Sequence, residues 1–531
     1  MDTITSSGGM VVAPHKAAAQ AGADILSEGG SALEAMIAAA STIAVVYPHM
    51  NSIGGDGFWL MSEPGKAPKV LMACGSAGSN ATVETYHRAG HETVPTRGPL
   101  AALTVAGTIG GWAKAKEAAQ SIGAGKIPNR VLLENAVRYA KEGITVTRSQ
   151  AGLTASKFEE LKDQPGFADV YLKDGKAPNE GDTLRQERLA DTLEHLGAEG
   201  FDEFYRGDVG AAIAEDLERI GSPVTKKDLE RFEAVFKEPL KAELSCGTIY
   251  NAPPPTQGLA SLIILGLYDR LGLKPGEGFD LVHGAVEATK RAFLVRDRIV
   301  TDPNRLPESP RDFLTSEWLD KEAGEISMKR AAAWPQVQKP GDTIWMGAVD
   351  AKGVAVSFIQ STYWEFGSGC VLPKTGIIWQ NRGASFSLHP DALNVLEPGR
   401  QPFHTLNPAM ARLKDGRTIT YGTMGGEGQP QTQAAIFIRH VLNKMPVGEA
   451  IDAPRWLLGR TWGEDTTALR LEGRFDPDLV RALERSGHEA IQISDDYSDM
   501  MGHAGMISRN ARGGLEGAHD PRADGGAAVA R

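Results

Sequence analysis

The sequence predicts an α+β fold, in which sheet-forming segments near both ends of the chain flank a long helical middle region. Three observations lead to this prediction: two helical runs that precede an apolar strand near the start, a mostly helical periodicity from about residue 101 to 326, and a change to period two directly after residue 341. At 531 residues the chain could form two or three ordinary domains or one large layered domain, and length does not decide between them.

The first 74 residues are expected to place a pair of helices against a sheet. Residues 15–48 have helical character that Gly29 and Gly30 interrupt, and Ser31 with Glu34 fits a capping box at the start of the second helix. The predicted strands and extended segments of this region lie at 10–13, 58–61 and 69–74, with a glycine-rich turn at 51–57.

The middle third is expected to form a layer of helices. The helical period is clearest at 112–121, 129–142 and 281–300. One β-rich interruption falls near 236–250.

An exposed linker is predicted at 328–341, because this segment is basic, then rich in Ala, and ends with Pro335, Pro340 and Gly341. Asp342 and Thr343 follow and open a region of period two. The predicted elements of this region are a hairpin of 344–349 and 354–360 across a turn at 350–353, further extended segments at 376–379 and 418–422, a helical stretch at 432–442, and a packed final segment at 514–522.

Composition and charge exclude several functions. A formal net charge of -11 argues against nucleic acid or an anionic membrane as the partner, since both require a basic surface. No stretch has the length and apolarity of a signal peptide or a spanning helix, so we expect a cytoplasmic protein. The three cysteines are far apart and are expected to be reduced core residues, and the scattered histidines give no metal-ligand spacing. We therefore predict neither a metal nor a cofactor.

The junction of linker and strand is a candidate for self-cleavage. A Thr hydroxyl is a poor nucleophile unless a base takes its proton, and cleavage between Asp342 and Thr343 would supply both the hydroxyl and a free α-amine as that base. The local pattern alone is weak evidence, because Thr is common in strands.

The glycine-rich loop at 423–428 is the second candidate element. Its successive glycines could turn two backbone N–H groups toward one point, as an oxyanion hole requires. An ordinary strand-to-helix turn and a phosphate-binding loop are the alternatives, although the Gly-Lys-Ser/Thr signature of the latter is missing. His49, His404 and His519 are taken as structural.

Taken together and in this order, these segments resemble the γ-glutamyltranspeptidase family along nearly the whole chain. The residues that carry the resemblance are 48–58, 341–343, Val349, Asp350, Gly353, 366–369, Gly376, Ile377, Asn381, Pro402, Pro408, Gly425, Gly426 and 517–522. The resemblance implies a four-layer αββα sandwich of the N-terminal-nucleophile hydrolase type. It also implies self-cleavage into residues 1–342 and 343–531, which stay together as one folded unit.

The resemblance also implies roles for individual residues. Thr343 would be the nucleophile, the Ser361 hydroxyl would support it, and the N–H groups of Gly425 and Gly426 would hold the oxyanion. No cofactor is implied.

The chain departs from the family pattern at the substrate. The family grips the glutamate α-carboxylate with an arginine, whose position falls at or near Gly75, and the α-ammonium with an acid, whose position falls on Ser385. Family residues near the substrate are replaced by Tyr363, Arg382, and His404 with Thr405. Because Arg382 offers a bidentate donor for a carboxylate, we expect an anionic acyl group without an amine.

Oxamate, a carboxylate attached directly to an amide, has this shape, and the sequence looks most like the oxamate-hydrolysing branch of the family. Two alternatives concern the arginine: Arg382 could instead form a structural salt bridge, and Arg97 is a second candidate for the anion. Three concern function: a γ-glutamyl hydrolase or transpeptidase, a glutaryl acylase of the cephalosporin type, and an uncleaved, non-catalytic binding protein. A homo-oligomer of the two fragments stays open.

Overall fold

Two seven-stranded antiparallel sheets face each other in the computed structural model of the chain, which describes residues 2–334, 342–459 and 466–530. The first, called here the Thr343 sheet, contains the candidate nucleophile in an interior strand, the third of the seven. Its strands, in spatial order, are Gly526–Val529, Gly9–Ala13, Asp342–Asp350, Ala355–Tyr363, Asp56–Ser62, Lys69–Ala73 and Val235–Lys237.

The second sheet, called the Tyr421 sheet, is built from both halves of the chain. Its strands, in spatial order, are Ile4–Ser6, Leu515–His519, Ala504–Arg509, Thr418–Thr423, Ala409–Leu413, Gly247–Asn251 and Leu240–Leu244. Since each sheet takes strands from residues before and after position 343, the two predicted fragments share both sheets.

A cluster of apolar side chains fills the space between the sheets. It contains Met10, Phe58, Trp345, Met410 and Ile507 among other residues. Trp345 is fully buried there, and its indole Nε1 donates to Ser357 Oγ at 2.9 Å. Trp345 is therefore a core residue between the two sheets.

Helices cover the outer face of the Thr343 sheet and form the largest apolar core with it. Lys16–Ser27 and Ala32–Val46 pack directly on the sheet, and the second helix begins with the predicted capping box of Ser31 and Glu34. The other helices of this half are Val83–Arg88, Thr108–Ser121, Asn129–Glu142, Arg148–Ser156, Phe158–Leu161, Phe167–Tyr171, Glu187–Glu199, Glu203–Arg206, Asp208–Ile220 and Lys226–Glu230.

A second helical layer covers the outer face of the Tyr421 sheet. A short π-helix, Ile438–Leu442, continues the helix that ends at Phe437. The α-helices of this layer are Gly258–Arg270, Phe279–Ile299, Ser316–Gly324, Gln429–Phe437, Val447–Asp452 and Pro477–Arg485. The order of layers is therefore helix, sheet, sheet, helix.

Smaller elements complete the fold. Three short sheets pair Trp456–Leu458, Leu469–Glu472 and Ile491–Ser494; Val371–Leu372 and Ile377–Ile378; and Ile144–Thr145 and Thr183–Leu184. Single turns of 3₁₀ helix occur at Pro303–Arg305, Pro310–Leu314, Arg382–Ser385, Gly426–Gly428 and Asp499–Met501. No helix in the described ranges is both long enough and apolar enough to cross a membrane.

The predicted hairpin after residue 343 is confirmed, as are the predicted N-terminal helix pair and the packed final segment. The final segment forms Leu515–His519 and is followed by the edge strand Gly526–Val529. Of the predicted linker, 335–341 lies outside the described residues. Cys74 and Cys370 are buried free thiols as expected, whereas Cys246 is only partly buried because it lies in the turn between the edge strand Leu240–Leu244 and its neighbour Gly247–Asn251.

Candidate active site

Thr343 lies at the beginning of a central strand, in an irregular part of the sheet. Asp342 is paired with Tyr363 and Ile344 with Gln360, so the register shifts by one residue between these pairs. Ser361 and Thr362 therefore stand opposite the single residue Thr343, which is the arrangement of a β-bulge. Thr343 is fully buried. The bulge thus brings Thr343 next to Ser361 on the neighbouring strand.

Ser361 fixes the turn that follows its own strand. Its Oγ accepts a hydrogen bond from the Tyr363 N–H at 2.7 Å. Tyr363 has a φ of +86°, a conformation that side-chain-bearing residues rarely adopt. Because Ser361 binds the backbone of Tyr363, this hydrogen bond helps to hold the unusual conformation.

Gly425 and Gly426 connect a strand of the Tyr421 sheet to the helix that begins at Gln429. Their φ values are +116° and +50°, which favour glycine, and Gly425 O accepts from Gly428 N at 2.8 Å. Gln257 Nε2 donates to Gly426 O at 2.8 Å, and Gln257 Oε1 accepts from Arg296 Nη1 at 3.0 Å. Buried side chains therefore hold this loop in one shape.

Gly75 occupies a position with no space for a side chain. A β-carbon built there would lie 1.8 Å from the carbonyl oxygen of Val105, far inside the van der Waals distance. The Gly75 N–H donates to Asp56 Oδ1 at 3.2 Å. The arginine that the resemblance places at or near this position therefore cannot stand at Gly75.

Arg382 is a buried cation whose donors are only partly used. Its guanidinium carbon lies 3.3 Å from the centroid of the Tyr363 ring, and Nη1 donates to Thr405 Oγ1 at 3.2 Å. Nε and Nη2 have no hydrogen-bond partner, and no carboxylate of the described residues lies within 4.0 Å of the guanidinium. The alternative of a structural salt bridge is therefore not realised within the described ranges.

Asp56 and His404 lie near Arg382 and are also incompletely satisfied. Asp56 Oδ1 accepts from the Gly75 and Gly107 N–H groups, at 3.2 and 2.9 Å, whereas Oδ2 has no hydrogen-bond partner and lies 3.6 Å from His404 Nε2. Neither ring nitrogen of His404 has a partner, and the ring packs edge-on against Phe58.

Burial dominates the electrostatics of these two side chains. Burial raises the pKa of Asp56 to about 7, and the backbone hydrogen bonds from Gly75 and Gly107 offset only part of this rise. Burial, followed by the charge of Arg382, lowers the pKa of His404 well below its usual value. The imidazole is therefore neutral at physiological pH.

Ser385 and Arg97 make their contacts mainly with the backbone. The Ser385 hydroxyl can donate to the carbonyl oxygen of Arg382 or to that of Phe403, each 3.1 Å from its Oγ. Arg97 Nη1 donates to the carbonyl oxygens of Glu365 and Gly367, each at 2.5 Å, and its Nε donates to Glu160. Arg97 therefore holds the loop that follows Tyr363 and is paired with acids, Glu160 at 3.1 Å and Glu365 at 3.9 Å, although its Nη2 has no hydrogen-bond partner. Arg382 differs because it has no such acidic partner among the described residues.

These contacts establish the geometry, and comparison with known proteins identifies the family. The family model described as Gamma-glutamyltranspeptidase matches residues 18–530. The chain belongs to this family. The predicted assignment, which rested on motifs spread from residue 48 to 522, is confirmed.

Two members of the family match along nearly the whole chain. The oxamate amidohydrolase proenzyme of Klebsiella pneumoniae subsp. pneumoniae is 53% identical over 523 residues, which cover 98% of this chain and 98% of that protein. The glutathione hydrolase-like YwrD proenzyme of Bacillus subtilis is 40% identical, again with 98% of each chain covered.

A solved structure shows the same architecture. The cephalosporin acylase from Bacillus halodurans superposes with a TM-score of 0.91 at 32% sequence identity, covering 100% of this chain and 97% of that chain. With the family match, this similarity confirms the predicted αββα sandwich and the predicted class, an N-terminal-nucleophile amidohydrolase.

The sequence did not predict several residues that shape the candidate active site. In the sequence Asp56 is only one residue of a glycine-rich turn and Glu427 only one residue of the glycine-rich loop, and Gln257 and Arg296 belong to no motif. Arg296 pairs with Glu427 at 3.1 Å and with Gln257, so three segments distant in sequence meet behind the Gly425 loop. Spacing along the chain gives no signal for such a contact.

One group of side chains in the described part of the chain has the composition of a metal site. Ligand atoms of His283, Glu287 and His488 lie within 4.8 Å of one another, and all three residues are buried. His283 Nδ1 and His488 Nε2 share a hydrogen bond of 2.8 Å. The Glu287 carboxylate accepts hydrogen bonds from Lys290 Nζ and from the Ala332 N–H. The group therefore links the two predicted fragments through its own hydrogen bonds.

Proposed function

We propose that the chain cleaves itself between Asp342 and Thr343 and then hydrolyses a small anionic amide, with oxamate as the first candidate. The observation that carries the choice of substrate is Arg382: a buried guanidinium without a carboxylate partner, held by Tyr363 and Thr405 and with two free donors. A buried cation of this kind is stabilised when an anion binds to it.

Maturation would use the same hydroxyl as turnover. Thr343 Oγ attacks the carbonyl carbon of Asp342, the peptide nitrogen leaves as the α-amine of Thr343, and water then hydrolyses the ester. The products are the fragments 1–342 and 343–531. Each fragment contributes strands to both sheets, and hydrogen bonds between strands of different fragments keep the fragments together after cleavage.

In turnover, the α-amine of Thr343 takes the proton of its own hydroxyl as Oγ attacks the substrate amide. The N–H groups of Gly425 and Gly426 stabilise the oxyanion, and the Ser361 hydroxyl supports the nucleophile. The α-ammonium returns the proton to the leaving nitrogen, so that ammonia departs from oxamate. Water then attacks the acyl-enzyme and releases oxalate, and no cofactor takes part.

The acyl pocket favours an anion without an amino group. The arginine that binds the α-carboxylate in the family cannot stand at Gly75, and Ser385 offers a hydroxyl where the family has an acid. Arg382, stacked on Tyr363, supplies a carboxylate partner instead, with Thr405 and His404 beside it. The similarity to the oxamate amidohydrolase proenzyme of Klebsiella pneumoniae subsp. pneumoniae supports this substrate.

A glutaryl amide is the second candidate. The close superposition on a cephalosporin acylase favours it, because such a substrate also presents a carboxylate without an amine on the acyl side. Oxamate and a glutaryl amide differ in the distance between carboxylate and reacting carbonyl, so Arg382 cannot suit both equally. For location we propose the cytoplasm, since Cys74, Cys246 and Cys370 are all unpaired.

The test combines an intact-mass measurement of the purified protein with an assay of ammonia release from oxamate. Two fragments that meet at residue 343, together with ammonia, would support the nucleophile and the substrate. The same fragments without ammonia would keep the nucleophile and transfer the substrate assignment to glutaryl or γ-glutamyl amides, assayed in parallel. A persistent single chain that binds the amides would favour the non-catalytic binding protein.

A further inference from the structure

Several buried polar atoms without partners lie together around Arg382. They are Asp56 Oδ2, both ring nitrogens of His404, and Nε and Nη2 of Arg382. All three side chains are at least nine-tenths buried. Because buried polar atoms are almost always hydrogen-bonded, and unpartnered ones are costly, this grouping points to a position that a polar ligand fills.

The charge of this position depends on Asp56. Arg382 is the cation, and burial keeps the neighbouring His404, Cys74 and Tyr205 neutral, since it lowers the pKa of the imidazole and raises those of the thiol and the phenol. Two other carboxylates act at longer range: Glu427 acts on Arg382 and Asp302 acts on Cys74. Glu427 is paired with Arg296, and Asp302 accepts from the Gln401 N–H.

We propose that Asp56 sets the preference of the pocket for an anionic acyl group, by carrying a proton whenever the substrate carboxylate binds Arg382. This inference rests on the proposed function. With Asp56 protonated, one buried cation meets one carboxylate. With Asp56 ionised, its negative charge, which acts on Arg382 at longer range, would lie in the same buried site as the substrate carboxylate and would repel it. At alkaline pH, binding of the substrate therefore takes up one proton from solvent.

The raised pKa of Asp56, about 7, agrees with this assignment and sets the direction of the effect. Below pH 7 the pocket carries the charge of Arg382 alone and attracts the carboxylate. Above pH 7 the Asp56 carboxylate cancels that charge. Affinity for an anionic amide should fall as the pH rises, whereas affinity for a neutral amide of the same shape should not.

The experiment compares oxamate with oxamide, which replaces the carboxylate by a neutral carboxamide. The ratio of their kcat/KM values is followed from pH 6 to pH 8.5 for the mature enzyme. Because the Thr343 α-amine acts on both amides, its titration cancels in the ratio. We expect the ratio to fall about tenfold over this range, through a rise in the KM for oxamate.

Two variants separate charge from structure. Asp56→Asn keeps an oxygen that can accept from Gly75 and Gly107, and it should give a ratio that does not change with pH. Asp350→Asn is the matched control, because Asp350 is also a buried carboxyl that accepts from two backbone N–H groups, of Ala32 and Val354, at the far end of the Thr343 strand. It should keep the wild-type profile.

The outcomes are distinguishable. A constant ratio in the wild-type enzyme, which needs no variant to fold, overturns the role of Asp56 and leaves the oxamate assignment in place. The same holds if Asp56→Asn keeps the wild-type profile. If the mature enzyme hydrolyses neither oxamate nor oxamide, the proposed substrate is overturned, and this inference with it.

Discussion

Arg382 lies against the face of Tyr363, with its guanidinium carbon 3.3 Å from the centroid of the ring. Tyr363 is itself paired across the sheet with Asp342, the residue before the candidate nucleophile. The cation is therefore tied to the reacting end of the strand through a single aromatic side chain. Its preference for the face of an aromatic ring is electrostatic and leaves the edge donors of the guanidinium free.

Arg382→Gln should remove recognition of the carboxylate. We expect the kcat/KM for oxamate to fall by about 100-fold or more, since loss of a buried charge partner costs about 2–5 kcal/mol, while the kcat/KM for oxamide changes little. Steady-state assays of ammonia release from both amides measure the difference.

Arg97→Lys provides the control for this prediction. Arg97 binds the backbone of the loop after Tyr363, so its substitution should lower the activity toward oxamate and oxamide to the same extent. A selective loss of oxamate activity in this variant, but not in Arg382→Gln, would exchange the roles of the two arginines.

Thr343→Ala should leave an uncut chain without amidase activity, because the hydroxyl that attacks Asp342 is missing. Intact-mass spectrometry after prolonged incubation checks this. Thr343→Ser retains a hydroxyl and should still be cut. A processed and active Thr343→Ala protein would exclude Thr343 as the nucleophile.

Periodicity along the chain was sufficient to predict the hairpin at Thr343, and the order of the motifs was sufficient to predict the family, whose resemblance implied the four layers. The resemblance placed Tyr363, Arg382 and Thr405 near the substrate, but it predicted neither their contacts with one another nor the part played by Asp56. The ring of Tyr363, the Thr405 hydroxyl and the unpartnered oxygen of Asp56 come from three segments up to about 350 positions apart, as their numbers show. Nor did it predict that Val105 excludes a side chain at Gly75, since close backbone approach depends on tertiary packing.

Gly425→Ala should impair catalysis more than folding. Its φ of +116° disfavours a side chain, at a cost of about 1–2 kcal/mol, and a shift of the loop would misplace an N–H group of the proposed oxyanion hole. Loss of one such donor lowers kcat by about 10²–10³-fold. Assays of kcat and thermal unfolding measure both effects.

Gly399→Ala is the matched control for this variant. Gly399 also has a positive φ, of +77°, and a β-carbon there meets nothing within 4 Å. It should lose a similar amount of stability while keeping its kcat. An equal fall of kcat in both variants would argue against a specific role of the Gly425 loop.

Restoring the family's arginine by Gly75→Arg should fail to create γ-glutamyl transfer. The β-carbon alone would meet Val105 O at 1.8 Å, so the backbone must move, and we expect a loss of more than about 3 kcal/mol of stability. Chemical denaturation measures this loss. Gly152→Ala, in the helix Arg148–Ser156 with nothing within 4 Å of its β-carbon, should be neutral or slightly stabilising.

The last prediction concerns the motif at 517–522, in which Asp520 and Arg522 form buried ion pairs that stabilise the fold. Burial raises the pKa of Asp520, but the charges of Arg455 and Arg522 outweigh burial and hold this pKa well below its usual value. Asp520 pairs with Arg455 at 2.6 Å and with Arg522 at 3.0 Å, and Arg522 also pairs with Glu472 at 2.6 Å.

A folded-state pKa below the unfolded value of about 3.9 means that this carboxylate stabilises the protein above pH 4 and that the contribution is lost as the pH falls below it. Asp520→Asn leaves two buried arginines short of an anion and should cost about 3–5 kcal/mol at pH 7. The difference in unfolding free energy between wild type and Asp520→Asn should then shrink as the pH is lowered from 7 toward 3. A difference that stays constant with pH would show that the variant disturbs packing rather than charge.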